Sequence, residues 1–284
     1  MICGIFRSVT CERSLKNFDS KARLIRHGGR SERETVHLSL NATMNGDKIV
    51  MPTQDNKNSG QLFLSQNNYL NGLKCLKYAW HYKHRRNAMP AYPEATERVF
   101  DYGHMIGAKA RELYPDGILA CEKVRPFGEQ LAYSKELMKK RVPLFECGLI
   151  YNNAYAQSDL LIPVEEDKWE FVEVKSGRGI ADVNYHDVAF QRYVYSNAGL
   201  DIMRCYIMHV TPGSNAGKDC DPKTIFTKVD VTDILQEYSA IVEDKISEIR
   251  AVLAMNESPE VPAGKQCDNP YRCKMYDVCN QAKK

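Results

Sequence analysis

At 284 residues the chain exceeds the roughly 100–200 residues of an ordinary domain, so one large domain, or one domain with an appendage, is expected. Hydrophobic residues at 43% and charged residues at 26% exclude wholesale disorder, collagen-like sequence and a simple coiled coil, and a net charge of +3 from 39 basic and 36 acidic residues does not by itself mark a nucleic-acid binder. No apolar run approaches the roughly 20 residues needed to cross a bilayer and the first residues lack a signal-peptide core, so the sequence reads as a soluble, cytoplasmic protein with no membrane partner.

Residues 1–60 carry 10 basic and 6 acidic residues, few aromatics and the closing polar tract Thr53 to Gly60. They read as a weakly structured extension and linker, leaving 61–284 as the folded domain. Ser65 is the expected N-cap of a helix running to about His84, with Tyr69, Leu73, Leu76, Tyr78, Ala79 and Trp80 on its apolar side. A second helix is expected from Pro93 to Tyr114. The Asp116-Gly117 turn then leads into a strand over Ile118–Val124 and a helix over Gly128–Arg141. Three apolar or alternating runs follow, Leu144–Tyr151, Ala154–Ile162 and Trp169–Val174, separated by Asn152-Asn153 and by Pro163 to Lys168, which is the pattern of an antiparallel meander. A helix over His186–Asn197, strands over Ile202–Val210 and Thr224–Val229, and a long helix over Val231–Met255 complete a mixed α/β core.

On the third strand of the meander, Glu173 and Lys175 share a face because strand side chains alternate. Their neighbours Phe171, Val172 and Val174 read as buried, and a buried acid and base side by side is either a structural ion pair or a catalytic one. Asp159, on the strand hairpinned to it, brings a second carboxylate. Two such charges about 4 Å apart repel by roughly 4 kcal/mol at an effective dielectric near 20, and a shared divalent cation is the natural way to keep both ionised. Oxygen donors with open water positions favour Mg²⁺ or Mn²⁺. Such an ion activates water while Lys175 offsets charge developing on a phosphate. On the following helix Asp187, Gln191 and Tyr195 recur every four residues and so share one face.

Cys267, Cys273 and Cys279 fall within 13 residues, where an even spread of the ten cysteines would put about 0.46, so chance is a poor account of the cluster. The spacing lacks the paired C-x2-C knuckles of common zinc modules. Cys75 is the candidate fourth ligand, and iron–sulfur clusters commonly take four thiolates; a structural zinc site in an interaction module is the competing reading. The segment from Lys74 to Arg86 contains Lys74, Lys77, Lys83, Arg85 and Arg86, no acid, and Tyr78, Trp80 and Tyr82 between them. It reads as a strand-binding groove or as a solvated helix face.

Taken together these residues resemble the PD-(D/E)XK nuclease superfamily, in its RecB-like iron–sulfur branch that includes the CRISPR adaptation exonuclease family. The resemblance spans about residues 62–281. It rests on Asp159, on Glu173-Val174-Lys175, on Gln191-x3-Tyr195 and on the bracketing cysteines. An uncharacterised bacterial nuclease-like family shares the leading segment from Leu64 to Cys75, Gly103-His104 and Asp187 to Gln191. The resemblance implies a restriction-endonuclease-like mixed sheet flanked by helices, with the N- and C-terminal helical parts joined by a 4Fe–4S cluster on Cys75, Cys267, Cys273 and Cys279. It implies that His104, Asp159 and Glu173 hold Mg²⁺ or Mn²⁺, that Lys175 positions water and phosphate, and that Gln191 and Tyr195 orient the strand or the lysine. The implied activity is a DNA exonuclease acting on ends or single strands, with protein partners of a DNA repair, recombination or CRISPR-type pathway. Where relatives often carry Arg two residues before the metal-binding Asp, this chain has Gln157, which raises the alternative of a catalytically inactive nucleic-acid-binding protein on the same fold.

Overall fold

The computed structural model describes residues 62–121, 126–269 and 272–281; the extension expected over 1–60 lies outside the described residues. In chain order the elements are β1 (Leu64–Ser65), α1 (Gln66–Lys74), α2 (Leu76–His84), α3 (Glu94–Arg111), β2 (Ile118–Leu119), α4 (Phe127–Met138), β3 (Leu144–Tyr151), β4 (Ala154–Pro163), β5 (Lys168–Lys175), α5 (Asp182–Asn197), β6 (Asp201–Val210), α6 (Pro222–Ile225), β7 (Phe226–Asp230), α7 (Leu235–Leu253) and α8 (Tyr276–Gln281). Six strands of a seven-stranded sheet run in the order β2-β3-β4-β5-β6-β7, and β1 adds to β4. The expected meander is present as antiparallel β3-β4-β5, while β2 with β3 and β5 with β6 are parallel pairs. The sheet is therefore mixed and the class α/β.

Local chemistry accounts for the turns and ends. Asn152 and Asn153 both take positive φ, 46° and 56°, the conformation a two-residue hairpin turn demands and Asn tolerates. Ser65 caps α1 as its sequence position predicts, its hydroxyl accepting from the Asn68 amide at 3.2 Å. The single helix expected from Ser65 to His84 is instead two, because Cys75 is extended at φ −167°, ψ 119°. The apolar stripe runs on through this break, so periodicity alone does not reveal it. The strand expected over Ile118–Val124 is two residues long as described, with 122–125 outside the described residues.

Strand alternation splits the interior into two layers. Phe171, Leu161, Cys205 and Ile207 pack with Val188, Phe190 and Val194 of α5, with Val242, Ile246 and Ile249 of α7 and with Tyr69 and Leu70 of α1. Leu160, Val172, Met208 and Phe145 point the other way, onto Ala110 of α3. Burial of each large side chain contributes roughly 1.5–3 kcal/mol, so the α5–α7 layer is the main core and α3 a thinner cover. Helix α5 thus lies over the face to which Glu173 and Lys175 belong.

Candidate active site and cysteine pocket

The β4–β5 ladder ends at Leu160 opposite Val172. Beyond it the half-buried Asp159 replaces a strand partner, one carboxylate oxygen accepting from the Val174 amide at 2.8 Å. One residue to either side of Val174, Glu173 and Lys175 turn inward beneath α5 and are 1% and 3% exposed. Lys175 Nζ donates to Glu173 Oε1 and to Asp187 Oδ2, both at 2.7 Å. Gln191 Nε2 donates to Glu173 Oε2 at 3.0 Å and to Asp187 Oδ1 at 3.1 Å. From α1, Gln66 Nε2 also donates to Asp187 Oδ1, and its carbonyl accepts from the Gln157 amide of β4. Two carboxylates and one ammonium are thus held almost out of water, the condition under which unpaired charge is most costly. Each carboxylate receives both the ammonium and a neutral amide.

Several polar atoms beside this network lack a protein partner: Gln191 Oε1, Tyr69 OH and Asn68 Oδ1. Tyr69 stacks on Phe190 with ring centroids 4.4 Å apart, and burial, reinforced by the nearby Asp187 charge, pushes its phenol well above the ordinary tyrosine value. Tyr195 lies one turn beyond Gln191 and pins strands. Its hydroxyl donates to the Cys147 carbonyl of β3 and accepts from the Ser158 amide of β4 at 2.9 Å. Gln157, where relatives often carry Arg, is 5% exposed and donates to the Glu146 carbonyl at 3.0 Å.

His104 does not join the acids. It is exposed on α3, whose buried Ala110 packs against the face opposite Glu173. Ile106, the helix's other buried residue, lies two residues on, about 200° around the helix, which turns His104 away from the sheet. The resemblance places a histidine at this position, but the helix phase keeps it out of the network. Asp187 and Gln66 are the reverse case. Four-residue spacing puts Asp187 on the Gln191 face but says nothing of the lysine it meets, and Gln66 arrives from 121 residues away.

The four cysteines do come together. Cys75, at the elbow between α1 and α2, and Cys267, Cys273 and Cys279 line one pocket with Tyr78, His81, Pro262 and Met275. Burial raises the thiols of Cys273 and Cys279, and the charges of Cys75 and Cys267 add to both shifts while Lys74 opposes the first and Lys77 the second. Among the described residues no three His, Cys, Asp or Glu side chains are grouped so as to hold a single metal ion. Four thiols on a largely apolar wall are the donors that a zinc ion or an iron–sulfur cluster takes.

The five basic residues of the 74–86 segment divide. Lys74 and Lys77 belong with the cysteines, whereas Arg85 covers Trp80 at 5.4 Å and Arg86 covers Tyr82 at 4.4 Å. Lys83 is half-buried on α2.

No protein-family profile and no curated protein matches the chain. Among solved structures it is similar to one described as "Crystal structure of SSO0001", at 12% identity over 65% of this chain and 98% of that one, with a TM-score of 0.28. A likeness that weak carries no argument about fold or function. Among the described residues no helix is long and apolar enough to cross a membrane.

Proposed function

We propose that the chain is a metal-dependent nuclease that hydrolyses DNA phosphodiester bonds, acting on ends or single strands. The observation that supports this reading is that Asp159 of β4 bonds the Val174 amide, between Glu173 and Lys175 of β5, where the two strands part, with Lys175 and Gln191 both bonded to Glu173. Asp159 and Glu173 would hold Mg²⁺ or Mn²⁺ through the oxygen donors such ions take; His104 has no part in the set. When bound, the ion supplies an activated water and a polarised phosphoryl oxygen. Lys175 brings an ammonium to the network, suited to offset charge that builds on a phosphate in the transition state. Gln191 fixes the Glu173 carboxylate through its amide, and Tyr195 keeps β3 and β4 in register beneath it. The aromatic residues of the basic segment are not open to stacking bases, since Tyr78 and Trp80 are buried and Arg86 lies over Tyr82; Arg85 and Arg86 remain as cations suited to the phosphates of a strand.

On the same reading Cys75, Cys267, Cys273 and Cys279 carry a 4Fe–4S cluster that fastens the α1–α2 elbow to the C-terminal segment. One observation favours a second reading, a binding protein without cleavage. Lys175 is shared between two carboxylates and nearly sealed from solvent, as in a structural ion network. Labelled single- and double-stranded DNA, incubated with and without Mn²⁺, separates the two. Metal-dependent cleavage lost in Asp159→Asn, with binding retained, supports the nuclease. Binding without cleavage by iron-loaded protein supports the alternative.

A further inference from the structure

We infer that Asp187 is a positioning residue that sets where the Lys175 ammonium stands, with Gln66 of α1 as its brace; the kinetic part of this inference rests on the nuclease reading above. Four observations lead to it. Lys175 Nζ is equidistant, at 2.7 Å, from Glu173 Oε1 and Asp187 Oδ2, so its location is fixed by two anions rather than by its own strand. Asp187 is fully buried and its other oxygen takes amides from Gln66 and Gln191, which leaves the carboxylate little freedom to turn. Gln66 uses the far end of its own amide on the backbone of Gln157, two residues before Asp159. The same brace therefore ties α1 and α5 to the strand that bears the first acid.

The chemistry of the arrangement differs from that of a simple ion pair. A lysine has a flexible four-carbon stem and three rotatable donors, so one carboxylate would leave its head free to swing toward solvent or substrate. Two carboxylates at equal distance hold it between them, and the second, Asp187, belongs to a helix packed on the core. Without Asp187 the ammonium keeps Glu173 but loses its fixed line to any phosphate bound beside Asp159. A displacement of about 1 Å at such a group costs on the order of 10²-fold in rate.

The test has two arms, one independent of catalysis. In ¹⁵N-lysine-labelled protein a clamped, buried ammonium gives a side-chain NH₃⁺ signal protected from exchange, assigned to Lys175 by its absence in Lys175→Met. Asp187→Asn, which keeps the shape and removes the charge, is expected to abolish that protection while the far-UV circular dichroism stays that of the parent. Should Asp187→Asn fail to fold, Gln66→Met, which removes only the brace, is expected to weaken the same signal. In the kinetic arm Asp187→Asn lowers kcat for DNA cleavage by about 10²-fold with KM unchanged, and Asp187→Glu restores part of it. A protected Lys175 signal that persists unaltered in the folded variants overturns the inference, as does parental kcat in Asp187→Asn. Absence of cleavage by the parent protein sinks the nuclease reading instead, and the ammonium signal still decides the role of Asp187.

Discussion

Lys175 bridges two buried carboxylates. Its removal takes from Glu173 and Asp187 the ammonium they share in a site of almost no water, and breaking a buried ion network in this way costs about 3–5 kcal/mol. Lys175→Met is therefore expected to lower unfolding free energy in denaturant by about that amount, and a loss under 1 kcal/mol would show that water reaches the pair. The thiols give a second test. Burial pushes Cys147 and Cys205 up to about 12, so the folded state holds their protons more tightly than the unfolded chain does. They stay neutral at pH 8, where alkylation of native protein should spare both and modify them only on unfolding. That thiol linkage is a stabilisation present below the ordinary thiol value and lost as pH climbs from there through the raised one. At this scale the sequence was readable where the rule was local. Alternation put Glu173 and Lys175 on one face and helix spacing put Asp187 with Gln191, whereas the link to Gln66 depends on how α1 docks and has no local signature.

Among the elements, α1 is the most exacting. Its cap hydroxyl meets the Asn68 amide, and Ser65→Ala is expected to cost about 1 kcal/mol in thermal or chemical unfolding. Gly72 on the same helix sits against α7 so closely that an added Cβ would fall 2.5 Å from Ile249 Cδ1 and Cγ1. Gly72→Val should destabilise by about 1–3 kcal/mol, and pairing it with Ile249→Ala should recover part of the loss; independence of the two changes would mean that the helices are further apart than this. Strand positions followed hydrophobic period closely through the meander, since each strand there buries a continuous stripe, whereas α5 begins at Asp182, one turn before the expected His186. The period failed at Cys75, where one extended residue breaks the helix without interrupting its apolar face; His104, put in the site by the resemblance, is exposed on α3 as its helix phase dictates.

For the whole molecule, the question is what fastens the two ends of the described chain. The four cysteines line one pocket there, and hydrogen bonds fasten the same ends. Trp80 Nε1 donates to the Met255 carbonyl at 2.9 Å, His84 Nε2 meets the Leu253 carbonyl at 2.8 Å, and Ser258 Oγ lies 3.3 Å from His81 Nε2. All three join α2 to the end of α7 or the segment after it without any thiol. Cys75→Ser is accordingly expected to lower the iron content and the absorbance near 400 nm of purified protein while leaving a folded, α2-docked domain; Cys121→Ser should alter neither. Iron loading of Cys75→Ser equal to that of the parent would remove Cys75 from the cluster. The α/β class was legible because the order of helical and strand patterns is a global signal, and the clustering of Cys267, Cys273 and Cys279 because their density is; Cys75, far along the chain, entered only as a candidate fourth ligand. The hydrogen-bonded fastening was not legible, since two of its three bonds end on backbone carbonyls, which every residue possesses.

The elbow at Cys75 joins these scales. Gln66 and Cys75 stand at opposite ends of the nine-residue α1, a stiff rod about 14 Å long. One end touches the carboxylate that holds the lysine; the other carries a thiol. A tilt at the sulfur end is a displacement at the amide end, with Gly72 pressed on Ile249 as the fulcrum between them. Oxidative damage to the thiols and loss of order at the lysine are therefore expected to arrive together, as two readings of one lever.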